Sequence, residues 1–371
     1  MSAWSVSRTT LGFWGLLKVI SLIRHGRPEI NWAALSYWAP LASFFAIVAA
    51  SLLPDFHSAG DFRYLAFAVA HAVMIVDVFA ASDRRRWLLQ LMALAPVILV
   101  VRGLIDAPEV FKFRLDYRFD HPLDHANTAG YLLAMSIPLC LYVVQAGRGW
   151  RRWLAAVVCF GEVVALLLTY SRGAWLGLSA AMVFFAFITN RWKSFLAMLA
   201  VVAICLTGFP SLRERAFSVL RPLHDPALSD RLRIGHDAFR LGLEQPILGV
   251  GYGRGRLKDA LRSRYNYTPS EHGPIWHTHN VYIELFAETG ILGLGTFGWL
   301  MVSTLYRLLR SVLAEANSSR LLGVSLATSW VAAAVAGLGD IPFYHHEPRI
   351  FFFSLFALAH LTCPLAGKRV N

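Results

Sequence analysis

The sequence predicts an all-α fold: a polytopic integral membrane helical bundle of about 10–12 transmembrane helices, with one large helical loop outside the bilayer. Three observations predict it. Of 371 residues, 56% are hydrophobic and only 16% are charged, where a soluble domain carries about 25% charged residues. The mean hydropathy is +0.50. The apolar residues fall in long runs, the pattern expected when the bilayer is the solvent.

A membrane helix needs about 20 predominantly apolar residues. Ten runs are candidate spans: 36–53, 62–81, 87–105, 126–146, 153–170, 173–189, 194–209, 290–310, 321–338 and 350–366. Residues 11–23, broken by Lys18, form either an interfacial helix or an eleventh span. The four cysteines (Cys140, Cys159, Cys205 and Cys363) lie scattered in apolar runs and form no CxxC pair. They therefore indicate neither a disulfide framework nor a zinc site. No cleavable signal peptide is evident, so insertion is expected to use the uncleaved apolar segments.

The net charge of +12 does not gather in one basic patch, which argues against a nucleic-acid partner. Short loops instead carry clusters: Arg24 and Arg27; Arg84, Arg85 and Arg86; Arg148, Arg151 and Arg152; Arg191 and Lys193; Arg307, Arg310 and Arg320; Lys368 and Arg369. If the ten spans alternate, all these clusters fall on one side. The positive-inside rule makes that side cytoplasmic, with both termini. The opposite side receives 106–125, the turn from Tyr170 to Gly173, the 339–349 turn and the long 210–289 segment. Long loops translocate largely regardless of charge, so the many arginines of 210–289 do not disturb this assignment. The expected organisation is transmembrane helices at 1–209, the large loop at 210–289 and further transmembrane helices at 290–371.

Three features stand out against this background. In Tyr170-Ser171-Arg172-Gly173-Ala174-Trp175 an arginine sits where two apolar runs meet. Arg172 is either a snorkelling side chain or an anion ligand facing a cavity, and its planar fork suits phosphate oxygens. In Ser229-Asp230-Arg231-Leu232-Arg233, Ser229 or Asp230 is expected to cap a helix. Arg231 would then lie in the first turn, where free amides also favour an anion. The following Pro246-to-Gly253 run lacks the Gly-Lys-Ser/Thr ending of a phosphate-binding loop and reads as a turn.

The third feature is His277-Thr278-His279-Asn280, leading into a run that begins at Val281. Thr278 or Asn280 can start a helix there, with Asn280, Glu284 and Glu288 on one face. The His-x-His pair has metal-ligand chemistry, but no third or fourth ligand is obvious, so neither a metal nor another cofactor is expected. A neutral imidazole beside arginines has a lowered pKa and can accept a proton.

These residues resemble a known family. The spacing His279-Asn280-x-x-x-Glu284-x-x-x-Glu288-x-Gly290-x-x-Gly293 is similar to the signature of the O-antigen ligase and polymerase superfamily. Ser171-Arg172-Gly173 is similar to its upstream element, and Arg231 to the arginine opening its large periplasmic loop. The resemblance covers roughly residues 30–365. It departs at His236, where the family often carries a tryptophan. It implies a glycosyltransferase embedded in the bacterial inner membrane that uses neither metal nor nucleotide. Such an enzyme takes a glycan from undecaprenyl diphosphate at the periplasmic face. For the ligase the acceptor is lipid A–core oligosaccharide. By the same resemblance His279, Arg172 and Arg231 are the expected catalytic residues. The two arginines also bind substrate, together with Asn280 and Asp340, the last in Gly337-Leu338-Gly339-Asp340.

The single large loop ending in the histidine element favours the ligase over the O-antigen polymerase and the O-linked protein oligosaccharyltransferase of the same superfamily. A lipid-linked glycan flippase is the alternative from another class. Transporters commonly show inverted repeats and charges near the midplane. Here Asp77, Glu162 and Arg102 are isolated and no repeat is seen.

Overall fold

The computed structural model describes residues 32–53, 60–80, 82–106, 117–120, 122–123, 125–218, 226–265, 277–314 and 317–363, with isolated positions 11, 12, 14, 15, 18 and 112. The expected helix or span at 11–23 lies mostly outside the described residues, although Lys18 pairs with Asp77. The helices are α1 (Trp32–Ala50), α2 (Gly60–Val78), α3 (Ser82–Asp106), α4 (Ala126–Ala146), α5 (Trp150–Leu168), α6 (Arg172–Thr189) and α7 (Trp192–Gly208). They continue with α8 (Pro210–Phe217), α9 (Pro226–Glu244), α10 (Arg254–Tyr265), α11 (Val281–Ala314), α12 (Asn317–Ala336) and α13 (His346–Thr362). No strand occurs among the described residues, so the protein is an all-α membrane bundle.

Every expected span coincides with a helix, but fewer can cross a bilayer on length and apolarity alone. Among the described residues five do so: Trp87–Asp106, Ala126–Ala146, Arg172–Thr189, Val281–Ala314 and Ser319–Ala336. A sixth is present if α7 and α8, bent by 109°, count as one broken span. Helices α2 and α5 fall short because of the charges they carry. Helix α2 carries Asp61, Arg63, His71 and Asp77, and α5 opens on Trp150-Arg151-Arg152 and contains Glu162. Glu162 is fully buried and accepts a hydrogen bond from Ser136 Oγ at 3.2 Å, so its carboxyl group faces protein rather than lipid.

The seam between α6 and α12 positions the site. Gly173 and Gly177 lie one turn apart on α6 and let it touch α12 backbone to backbone, as small residues do in membrane helix pairs. A Cβ at Gly177 would stand 2.8 Å from Ala332 O, and one at Gly173 would stand 3.2 Å from Gly339 Cα. The antiparallel pair thus brings Arg172 at the start of α6 beside the turn that follows α12. At the other end of the bundle, Arg191 and Arg320 line one cleft of about 420 Å³ with Gln145 and Thr189. Two of the basic clusters therefore meet at the end opposite His279.

Helix α11 is broken at Gly290 (φ 64°), and the Pro246–Gly251 turn fills the break. Breaking a helix frees carbonyls on one side and amides on the other. Here Val250 N donates to Ala287 O at 2.9 Å and Gly251 N to Glu288 O at 2.8 Å. Ile291 N in turn donates to Pro246 O at 2.8 Å. Both chains need glycine at the contact. Gly249 has φ 65°, and a Cβ there would meet Glu288 C at 2.4 Å. A Cβ at Gly290 would meet Ile247 C at 2.3 Å. Gly249→Ala and Gly290→Ala are each expected to lower the melting temperature of the detergent-purified protein, at a cost of about 1–3 kcal/mol or more. Gly161→Ala, inside α5 and with its added methyl in open space, is expected not to lower it.

Candidate active site

The site is built around one carboxylate. Asp340 follows α12 and is 2% exposed. Its Oδ1 stands 3.2 Å from His277 Nε2 and 3.3 Å from His279 Nδ1, and it accepts the Ile341 amide at 2.9 Å. Its Oδ2 accepts a short hydrogen bond of 2.5 Å from Asn127 Nδ2 in the first turn of α4. The Asn127 amide oxygen accepts from Arg118 Nη2 at 2.9 Å, and Arg118 Nε donates to Thr169 O at 2.8 Å. A continuous chain of hydrogen bonds therefore links the end of α5, beside Ser171 and Arg172, to both histidines.

The histidines are fixed from their own side as well. Asn280 caps α11, its Oδ1 accepting the amides of Tyr282 at 2.9 Å and Ile283 at 3.2 Å. Its Nδ2 donates to Leu338 O at 3.3 Å. Thr278 N donates to Glu284 Oε2 at 2.7 Å, and Val281 N to Gly337 O at 2.9 Å. These bonds hold His279 in left-handed backbone at φ 55°. That conformation costs a non-glycine residue about 1–2 kcal/mol, and such strain clusters at functional sites. Tyr170, just before Ser171 and Arg172, is left-handed too (φ 52°). The turn after α12 is pinned by buried Arg349, which donates to Phe343 O at 2.5 Å and Tyr344 O at 2.7 Å.

Burial pushes the Asp340 carboxyl up. The hydrogen bonds and charges of His277 and His279 outweigh this and hold it well below the usual carboxylate range. Burial lowers His279 from the ordinary histidine value, although the Asp340 bond and charge pull the other way. His345 is pushed down to about 4, mainly by burial. Asp340 is thus held as an anion, while burial favours the neutral ring of His279. With Nδ1 directed at Asp340, Nε2 is the His279 ring atom left for a substrate.

Two cavities meet at this residue. One, of about 540 Å³, is lined by Arg172, Arg231 and His279 together with apolar side chains of α6, α9 and α11. Its apolar wall is open to the surroundings: Leu232 is 60% exposed, Leu176 54% and Phe239 46%. The second, of about 770 Å³, is polar and is lined by Asp61, His125, Asn127, Arg254, Lys258, Asp259, His277, Asp340, His345 and again His279. Among the described residues His279 alone lines both cavities.

The structure brings all five expected site residues to one end of the bundle, with differences in detail. Helix α9 begins at Pro226, not at Ser229 or Asp230, because proline suits the first helical position. Arg231 therefore lies in the second turn, away from the free amides expected beside it. Arg172 lies at the start of α6, where its Nη1 donates to Ser218 Oγ at 2.9 Å. The side chain of Asn280 is occupied as a helix cap, and both oxygens of Asp340 take donors from the protein. Arg118, Asn127, His125, Asp61 and Arg254 were not foreseen, since no local motif marks them. Only their contacts across the fold do so.

No curated protein matches the chain. Residues 154–298 match the family model described as O-Antigen ligase. That stretch carries Arg172, Arg231 and His279, while Asp340 lies beyond its end. Members of the family are membrane glycosyltransferases and ligases. Over residues 154–298 the chain is therefore similar to the O-antigen ligase family.

Proposed function

We propose that the protein is an O-antigen ligase. It transfers a glycan from undecaprenyl diphosphate to lipid A–core oligosaccharide at the periplasmic face of the bacterial inner membrane. The observation that carries this reading is the position of His279 as the shared wall of two unlike cavities. The apolar one, with two guanidinium groups and an open greasy side, fits a lipid diphosphate. The polar one fits the hydroxyl-rich acceptor. On this reading 210–289 is the periplasmic loop, 1–209 and 290–371 are the transmembrane parts, and both termini are cytoplasmic.

The reaction is a single displacement. The acceptor oxygen bonds to the anomeric carbon as the bond from that carbon to the diphosphate oxygen breaks. The hydroxyl proton passes to His279 Nε2 as general base, and the anomeric configuration inverts. Arg172 and Arg231 hold the charge that builds on the leaving diphosphate. Asp340 is a positioning residue. It accepts the Nδ1 proton of His279 in a hydrogen bond, which leaves the Nε2 lone pair facing the substrate. The O-antigen polymerase and the O-linked protein oligosaccharyltransferase would use the same chemistry with another acceptor, and cells lacking the gene separate the first from the ligase. Unattached long chains mark the ligase, and single-repeat lipopolysaccharide marks the polymerase.

In vitro transfer from carrier-linked glycan to lipid A–core is the direct test. His279→Ala is expected to lose about 10²–10⁴-fold in rate, and Arg172→Ala to abolish transfer, both at unchanged protein level in the membrane. Near-normal transfer by either variant refutes the assigned role. Arg231→Lys is expected to lose most activity, because a point charge does not replace a bidentate fork. Full activity there makes Arg231 a bystander. The lowered pKa of His279 keeps its base form populated on the acid side. Activity should therefore survive below about pH 6.5, the ordinary histidine value, and fall only at lower pH. Asp340→Asn should reduce kcat and change this acid limb while leaving KM for the donor nearly constant.

A further inference from the structure

We propose that His277, His279 and Asp340 form an inhibitory site for a transition-metal ion of the Zn²⁺ class, entered from the polar cavity. The three side chains each offer one ligand atom, and these atoms lie within 4.8 Å of one another. The two nitrogen-to-oxygen separations are 3.2 and 3.3 Å. A tetrahedral zinc ion with ligand bonds of about 2.0–2.1 Å has ligand-to-ligand edges of about 3.4 Å. Both nitrogen-to-oxygen edges already stand at that spacing, and the nitrogen-to-nitrogen edge lies within 4.8 Å. Two imidazoles and a carboxylate are a zinc-type donor set that leaves the fourth position for water.

The sequence hides this site because the third ligand lies 61 residues beyond His279. The surroundings favour a cation that comes and goes. Asp61, Asp259 and Asp340 line the cavity against Arg254 and Lys258, an excess of one carboxylate. The two histidines are 16% and 20% exposed, which gives an ion a way in. His277 Nδ1 is buried without a hydrogen-bond partner. Resident zinc sites normally give that second ring nitrogen an acceptor, and its lack points to a reversible occupant rather than a permanent cofactor.

The consequence for catalysis follows from imidazole chemistry. A neutral ring has one proton and one free lone pair. An ion on His279 Nδ1 takes that lone pair, and the ring proton moves to Nε2. The proton of His277 moves likewise from Nε2 to Nδ1, so no proton is lost overall. His279 Nε2 then presents a donor to the acceptor hydroxyl and cannot take its proton. This last step rests on the ligase reading, whereas binding of the ion does not.

Binding is measured first, on the detergent-purified full-length protein, by titration with Co²⁺ as a spectroscopic probe followed by displacement with Zn²⁺. One ion per chain with the visible bands of tetrahedral cobalt is expected. His277→Gln and Asp340→Asn should each weaken binding at least about tenfold. Zn²⁺ should raise the melting temperature of the wild type and not of these variants. Absence of stoichiometric binding at micromolar ion, or binding unchanged in both variants, overturns the site. In the transfer assay Zn²⁺ should inhibit the wild type, a chelator should restore it, and Mg²⁺ should have no effect. Full transfer with the site occupied overturns the inhibition. Absence of transfer by metal-free wild type counts instead against the ligase reading, and the binding measurements then decide the site.

Discussion

A single buried carboxylate organises this protein's chemistry. Asp340 is almost wholly removed from water, and a lone charge there would be prohibitively costly. It is tolerated because donors converge on it from α4, from the segment before α11 and from its own turn. Each donor is held by something else in turn: Asn127 by Arg118, Arg118 by the end of α5, and His279 by the capped start of α11. Elements remote in the chain are therefore tied through one anion. The cost of leaving it unpaired is what fixes their relative positions.

Strain and close packing serve the same end. His279 and Tyr170 both adopt left-handed backbone without being glycine, and each adjoins a group assigned to the reaction. Such conformations persist only where surroundings over-determine them. For His279 those surroundings are the Asn280 cap, the Glu284 carboxylate on Thr278 N and the bond from Val281 N to Gly337 O. The loop turn seated in the α11 break adds a further restraint, because it joins the loop helices to the segment that follows the histidines.

Much of this was legible in the sequence, and the rest was hidden for identifiable reasons. Long apolar runs located every helix expected to span, because hydropathy reports lipid contact directly. It does not show how charge within a span is accommodated, since the buried Glu162 carboxyl meets a Ser136 hydroxyl 26 residues away that a linear reading does not see. The start of α9 went to Ser229 or Asp230 because these residues cap well in isolation, yet Pro226 three residues earlier had already set φ for a first turn. Arg172, Arg231 and His279 could be named from short motifs. Arg118 and Asn127 could not, because their role exists only through partners 51 and 213 residues away.

The glycine seam between α6 and α12 has a consequence for the shape of the two cavities. Helices that touch through backbone atoms have no compressible side chains between them, so their separation acts as a fixed gauge. The wall carrying Arg172 and Asp340 is therefore held at a fixed distance by the seam. Any change in cavity shape must come from the opposite wall, where α9 and α10 present long side chains to open space. Freedom of shape is thus left to the loop side of the two cavities, while the side carrying Arg172 and Asp340 keeps its width.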